Sequence, residues 1–310
     1  MFIKTFIGIF LLLGWAFTAF AQPANVEQEF IDSAQSYFEK DQFDKAITEL
    51  DKAVKLSPRS SKLFLMRGDC KWLTRDMEGA IADYTRAIEL GPSAPGIERA
   101  YNNRGVARQH LGNDINAFSD FERAISINPN YADPFYSRGV ILEKRGKPDF
   151  ALKDFDRAIL LDPFKTPAYS ARGNIRFRKN LLPGAFSDYN RAIELFPTVA
   201  SSYIIRGMIY GIRGKWEIAL DDLRTGFELN SEPGLTGVGV LGVAFNDIDK
   251  FVQANPANAR AYASRGFVNL IRKRNPEADR DFNRSFQLEP KLRKDLKELI
   301  ESVKGRTSGQ

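Results

Sequence analysis

Few residues in this sequence are of types that could do chemistry. There is one histidine, His110, and one cysteine, Cys70. A lone imidazole could serve as a general base, but no nucleophile stands at a defined spacing from it; Ser119 and Ser126 merely follow on the next helical segment. One histidine and one cysteine exclude a His-pair metal site, a cysteine-cluster zinc site and an intramolecular disulfide. Gly237-Val-Gly239-Val-Leu-Gly242 fits the G-x-G-x-x-G pattern that cradles a dinucleotide. That chemistry needs a strand before the glycines, a helix after them and an acid ~20 residues on for the ribose. Here a helix end and Glu232-Pro233 precede it, and residues 256–270 hold no acid. The glycines therefore read as a break in a helical pattern. Asp221 with Asp222, and Asp247 with Asp249, read as solvated or paired helix acids, and Cys70 as a small buried hydrophobe. The expectation is a chain with no catalytic residue, no metal and no cofactor, hence not an enzyme.

Composition agrees. Hydrophobic residues make up 43% and charged residues 27%, ordinary for a globular protein. The net charge of +6 comes from 45 basic against 39 acidic residues interleaved along the chain, which argues for a solvated mixed surface and no nucleic-acid partner. Met1–Ala21 carries one early positive charge, Lys4, an apolar run to Phe17, and Ala19 and Ala21 at the −3 and −1 places of a cleavage site. This is the pattern of a secretory signal peptide, so residues 1–21 are expected to be removed and the chain exported, periplasmic or secreted. The alternative is an uncleaved anchor, although the apolar stretch is short of the ~20 residues a membrane-spanning helix needs.

The elements that must position any site follow from a repeat. Arg-Gly recurs at Arg67-Gly68, Arg104-Gly105, Arg138-Gly139, Arg172-Gly173, Arg206-Gly207 and Arg265-Gly266, mostly 34 residues apart. Prolines 58, 92, 129, 163, 197, 256 and 290 echo the same spacing. In the unit beginning at Asp133, Phe135, Gly139 and Leu142 lie on one helical stripe, Gly146 and Pro148 interrupt it, and Ala151, Phe155, Ala158 and Ile159 form a second stripe. Each unit is thus a helix–turn–helix that cannot bury its stripes alone and must stack on its neighbours.

These residues resemble the tetratricopeptide repeat family. The family's order of a bulky residue, a small residue, then Ala, aromatic, Ala and Pro appears as Tyr101, Gly105, Ala117, Phe121, Ala124, Pro129, and again as Tyr169, Gly173, Ala185, Tyr189, Ala192, Pro197. Copies start near 27, 61, 98, 132, 166, 200 and 259; residues 234–258 read as a truncated copy that keeps a second helix with Ala244, Ile248, Phe251 and Pro256. The resemblance implies an all-α, right-handed α-solenoid over 22–290. Residues 291–304, with Leu292, Leu296, Leu299, Ile300 and Val303 in helical phase, read as a capping helix, and 305–310 as a disordered tail.

The arginine before each glycine is matched 16 residues later by an aspartate: Arg67 with Asp83, Arg104 with Asp120, Arg138 with Asp154, Arg172 with Asp188, Arg206 with Asp222 and Arg265 with Asp281. Recurrence beside every packing glycine predicts structural ion pairs between the two helices of a repeat, since a guanidinium can bind a carboxylate through two hydrogen bonds. The resemblance further implies a concave groove lined by the first helix of each repeat. Carried over, the groove positions are Leu65, Asp69, Trp72, Leu73, Arg99, Asn102, Gln109, His110, Asp133, Tyr136, Glu143, Lys144, Ser170, Asn174, Phe177 and Arg178. The family's subset that clamps a peptide carboxylate uses lysines that are missing around Asn102 and Asn103, so that chemistry is not implied. Aromatic anchors among amides and charges suit an extended peptide or a helix of a partner protein. The expected function is an exported protein–protein interaction scaffold; the alternative is an envelope assembly or chaperone-like factor that holds extended clients transiently.

Overall fold

A computed structural model of the chain describes residues 23–231 and 240–308. The leader and Gly237 and Gly239 of the glycine pattern lie outside the described residues. Among the described residues there are sixteen helices and no strand. They run α1 Pro23–Phe38, α2 Phe43–Leu56, α3 Ser61–Leu73, α4 Met77–Leu90, α5 Ile97–His110, α6 Asp114–Ile127, α7 Ala132–Lys144, α8 Pro148–Leu161, α9 Thr166–Arg178, α10 Leu182–Leu195, α11 Ala200–Ile212, α12 Trp216–Ser231, α13 Val240–Ala254, α14 Ala259–Ile271, α15 Asn275–Leu288 and α16 Lys291–Ser308. The fold is the α-solenoid of helix pairs that the period requires.

Local chemistry sets the boundaries. Each first helix of a pair ends on one left-handed residue: Asp41, Arg75, Gly112, Gly146, Asn180, Gly214 and Lys273 all have φ between 55° and 76°. That single residue reverses the chain, and the second helix then starts on a cap or a proline. The Asp76 carboxylate accepts from the Gly79 amide, the Asn113 side chain from the Asn116 amide, and a proline stands in the first turn of α8, α10 and α15. The expected stripes are fully buried, as with Ala117, Phe121 and Ala124 in α6. Gly105 shows why a small residue is required: a Cβ there would lie 2.6 Å from the Phe121 ring.

The chain divides into two compact units, residues 1–141 and 142–310. In the first, α1–α6 and the greater part of α7 enclose a run of small cores, one of them built on Ile31, Leu50, Leu63 and Cys70. In the second, one continuous core runs from Phe177 and Tyr189 through Ile204, Met208 and Phe251 to Phe282, Leu292, Leu296 and Val303. Helix α16 supplies the last three of these and so covers the apolar stripe at the end of the stack, as expected of a cap. It continues to Ser308, past the end expected at 304, so residues 305–308 are helical where a disordered tail was expected.

The expected ion pairs have two-pronged geometry at Arg67–Asp83, Arg104–Asp120, Arg172–Asp188, Arg206–Asp222 and Arg265–Asp281. In the remaining repeat Arg138 lies over the Phe135 ring and Asp154 is buried. The arginines do more than the spacing predicted. The third guanidinium nitrogen reaches back to the preceding repeat: Arg67 to Asp51, Arg104 to Thr85, Arg172 to Asp156, Arg206 to Asn190 and Arg265 to Asp249. Each arginine therefore ties the two helices of its own repeat to the second helix before it, or in the last case to α13. Asp249 and Asp222, two of the acids that could have suggested a metal site, are consumed by this ladder.

Candidate partner-binding surface

The first unit carries an open cavity of about 400 Å³ between its first helices, bounded by α3, α5 and α7. Seven of the expected groove residues line it: Asp69, Trp72 and Leu73 from α3, Arg99 and Asn102 from α5, and Asp133 and Tyr136 from α7. Its floor is a chain of hydrogen bonds. The Asp69 carboxylate accepts from the Tyr84 hydroxyl at 2.9 Å, from Asn103 Nδ2 at 2.9 Å and from Arg99 at 3.3 Å. Asn103 Oδ1 in turn accepts from Asn102 Nδ2 at 3.0 Å. Burial pushes the Asp69 carboxyl above its ordinary value, opposed by the Tyr84 and Asn103 bonds and by the Arg99 charge. Burial and the adjacent Asp69 push the Tyr84 phenol up, so it stays a donor. Trp72 meets the exposed His110 edge to face, with ring centres 6.2 Å apart.

Three expected groove residues of the first unit lie elsewhere, among them His110, which stands against Trp72 without lining the cavity. Leu65 packs into the core around Ile88, Ile97 and Ala100, and Gln109, half-buried, lies outside the cavity. Residues that the repeat positions did not single out complete the site: Phe38, Asn103, Val106 and Ser137.

In the second unit the expected groove is filled by the chain itself. Helix α13 has the apolar pattern of a second helix, but it packs against α9, α11 and α14, the first helices of three repeats. Phe177, expected to be an exposed anchor, is 0% exposed and stacked on Phe251 of α13 at 4.5 Å between ring centres. Arg178, expected to face a partner, donates to Asp247 of α13 at 2.7 Å and to Glu143. Asn174 accepts from the Tyr189 hydroxyl at 2.8 Å, Ser170 and Ser202 lie within hydrogen-bond distance, and Lys144 is exposed. Phe177 and Arg178 thus bind an internal helix, and Glu143 is engaged by Arg178. Among the described residues α13 has no first helix of its own repeat to pair with, and Ala244, Ile248, Phe251 and Val252 bury their stripe on the first helices of its neighbours.

Comparison with known proteins agrees with this architecture. Models of the tetratricopeptide repeat match residues 31–95 and 136–200, and 98–131, together more than half of the chain. The chain belongs to the tetratricopeptide repeat family. It is 27% identical over 112 residues to tetratricopeptide repeat protein 36 of Xenopus tropicalis, a match over 36% of this chain that spans about half (54%) of that relative. Among solved structures it is similar to a tetratricopeptide repeat protein from Parabacteroides merdae, at 19% identity and a TM-score of 0.55 over 91% of this chain and 98% of that one. It is also similar to Pseudomonas aeruginosa pilF, at 15% identity and a TM-score of 0.59 over 67% and 92% of the two chains. These likenesses concern the fold.

Within the tetratricopeptide repeats one side-chain relationship recurs that the sequence reading missed. Where the aromatic residue of the second helix is tyrosine, its hydroxyl donates to the residue after the packing glycine, Tyr84 to Asp69 and Tyr189 to Asn174. The signal was available: a polar residue after glycine, 15 positions before a tyrosine rather than a phenylalanine. Of the second unit's remaining acids, Asp221 lies near Arg224 at 3.5 Å. Among the described residues no helix is long and apolar enough to cross a membrane, and no group of three or more His, Cys, Asp or Glu side chains could hold a metal ion.

Proposed function

We propose that this chain is an exported, non-enzymatic interaction scaffold that binds an extended segment of a partner protein on the first-helix face of residues 23–141. The observation that supports this most is the pairing of an open, aromatic-walled cavity in the first unit with an occupied groove in the second. Helix α13 already covers the first-helix face around Phe177, so the face around Trp72 and Tyr136 is the one left for a partner. Aromatic side chains beside buried polar groups are the composition of interface anchors. Export rests on the signal-like residues 1–21.

The test is affinity capture from an envelope extract with the chain as bait, beside a matched bait carrying Trp72→Ala and Tyr136→Ala that circular dichroism shows to be folded. One protein retained by the first bait and lost from the second supports a dedicated scaffold. Many weakly held proteins would favour the chaperone-like alternative, and identical capture by both baits would place the binding face elsewhere. Fractionation of the expressing cells tests export separately.

A further inference from the structure

One edge of the second unit carries a surface that the peptide-binding reading does not use. Stacked repeats bring their equivalent turns to the same side. Here the turns within three successive repeats, 145–150, 179–184 and 213–218, form one continuous edge. Lys179 Nζ stands 2.6 Å from Asp149 in the turn before it, and the Arg213 guanidinium lies 4.5 Å from the centre of the Phe186 ring in α10.

The charge of this edge departs from the mixed surface of the chain as a whole. Its turns hold Arg145, Lys147, Lys179, Arg213 and Lys215, all exposed, against Asp149 and Glu217. Lys147 and Lys215 are in no ion pair among the described residues. The corresponding turns of the first unit, 40–45, 74–79 and 111–116, hold three basic residues against five acidic ones. The turns at the other end of the second unit's helices, 161–166 and 195–200, hold one of each. Positive charge therefore belongs to this edge and not to the repeat. Each of its turns also presents one large apolar side chain: Phe150 is 59% exposed, Leu181 51% and Ile218 46%. Phe150 and Ile218 hold the same repeat position, just before the first alanine of a second helix, and Lys153 lies over the Phe150 ring. A single exposed apolar residue is ordinary, but one in each of three adjoining basic turns is a pattern.

We infer that this edge docks on an anionic lipid surface, the lysines and arginines meeting the headgroups while Phe150, Leu181 and Ile218 enter the interface. Charge complementarity selects an anionic partner, and the apolar side chains select a bilayer among such partners. A nucleic acid would use the charge and could stack on Phe150, but Leu181 and Ile218 offer a base no flat face. Three side chains and a modest charge give reversible attachment, with no span of the membrane. The inference stands apart from the peptide-binding reading, which concerns the first unit.

The experiment sediments the chain, as recovered from the expressing cells, with vesicles of phosphatidylcholine alone or with about one third phosphatidylglycerol. Binding to the anionic vesicles should be tighter by about tenfold or more and should weaken at high salt. Lys147→Glu with Lys215→Glu should remove most of that preference. Phe150→Ser with Ile218→Ser should weaken binding to the anionic vesicles by about tenfold. All four side chains are exposed, so both variants should fold. An environment-sensitive fluorophore on Phe150→Cys should brighten on anionic vesicles; on Phe164→Cys, in the near-neutral turn at the other end of the helices, it should not. No binding, equal binding to both lipids, or brightening at Phe164 in place of Phe150 would overturn the inference. Binding that the lysine variant loses and the Phe150 and Ile218 variant keeps would overturn it as well, in favour of a soluble polyanion.

Discussion

Phe177 of α9 and Phe251 of α13 stack with ring centres 4.5 Å apart and planes 19° from parallel, both fully buried. An internal helix therefore occupies the place where the repeat pattern would put a partner. Removing one ring deletes transfer energy and leaves a cavity that a stack of helices fills poorly. Phe251→Ala should destabilise the chain by about 3–5 kcal/mol in urea unfolding. A loss under about 1 kcal/mol would mean that α13 is only loosely seated.

The arginine ladder makes a sharper statement. Arg206 holds Asp222 with two bonds of 2.7 Å and Asn190 with one of 2.9 Å, all partly buried. Truncating one partner strands the other's charge, so Arg206→Ala should cost about 3 kcal/mol. Arg206→Ala with Asp222→Ala should cost less than the sum of the two single changes, by about 1 kcal/mol or more. Strict additivity in the cycle would show that the pair does not act as a unit.

Asp247 carries a pH signature. Burial raises its carboxyl above the ordinary 3.8, with Glu143 acting in the same direction and Arg178 and Lys250 opposing. A carboxyl raised on folding binds its proton more tightly folded than unfolded, so its contribution to stability falls as pH rises from about 4 through the raised value. The unfolding free energy of the native sequence, minus that of Asp247→Asn, should therefore decrease between pH 4 and pH 6. A flat or rising difference in urea titrations would refute this.

Cys70 is 2% exposed, and burial with the neighbouring Asp69 pushes its thiol up to about 11. At pH 8 the thiolate is then about one part in a thousand, and the sulfur is shielded as well. Ellman's reagent should react with Cys70 in the native protein only at the rate of unfolding, and at once in guanidinium. Immediate native labelling would contradict the burial.

How much of this was legible in residues alone divides along a physical line. The helix pairs were, because each is written in local spacing: alanines and aromatics four apart on one stripe, and a break such as Gly146 with Pro148 between the two helices; the left-handed turns at Asp41, Arg75, Asn180 and Lys273 were not. The pairs Arg206–Asp222 and Arg265–Asp281 were legible too, since a 16-residue separation repeated in phase places the two groups across one helix pair. The backward bonds to Asn190 and Asp249 were not, because they join repeats and only the stacking angle brings the groups within reach. The cavity was half legible. Repeat positions gave Asp69, Trp72, Arg99, Asn102 and Tyr136, while Asn103, the link that orients Asn102, emerged only from the bond network. The seat of α13 was decided by tertiary structure entirely. Its stripe of Ala244, Ile248, Phe251 and Val252 says that a face must be buried, and no spacing says against what; the stacking of the helices brings Phe177 onto Phe251 and Arg178 to Asp247, contacts between repeats that local sequence does not encode.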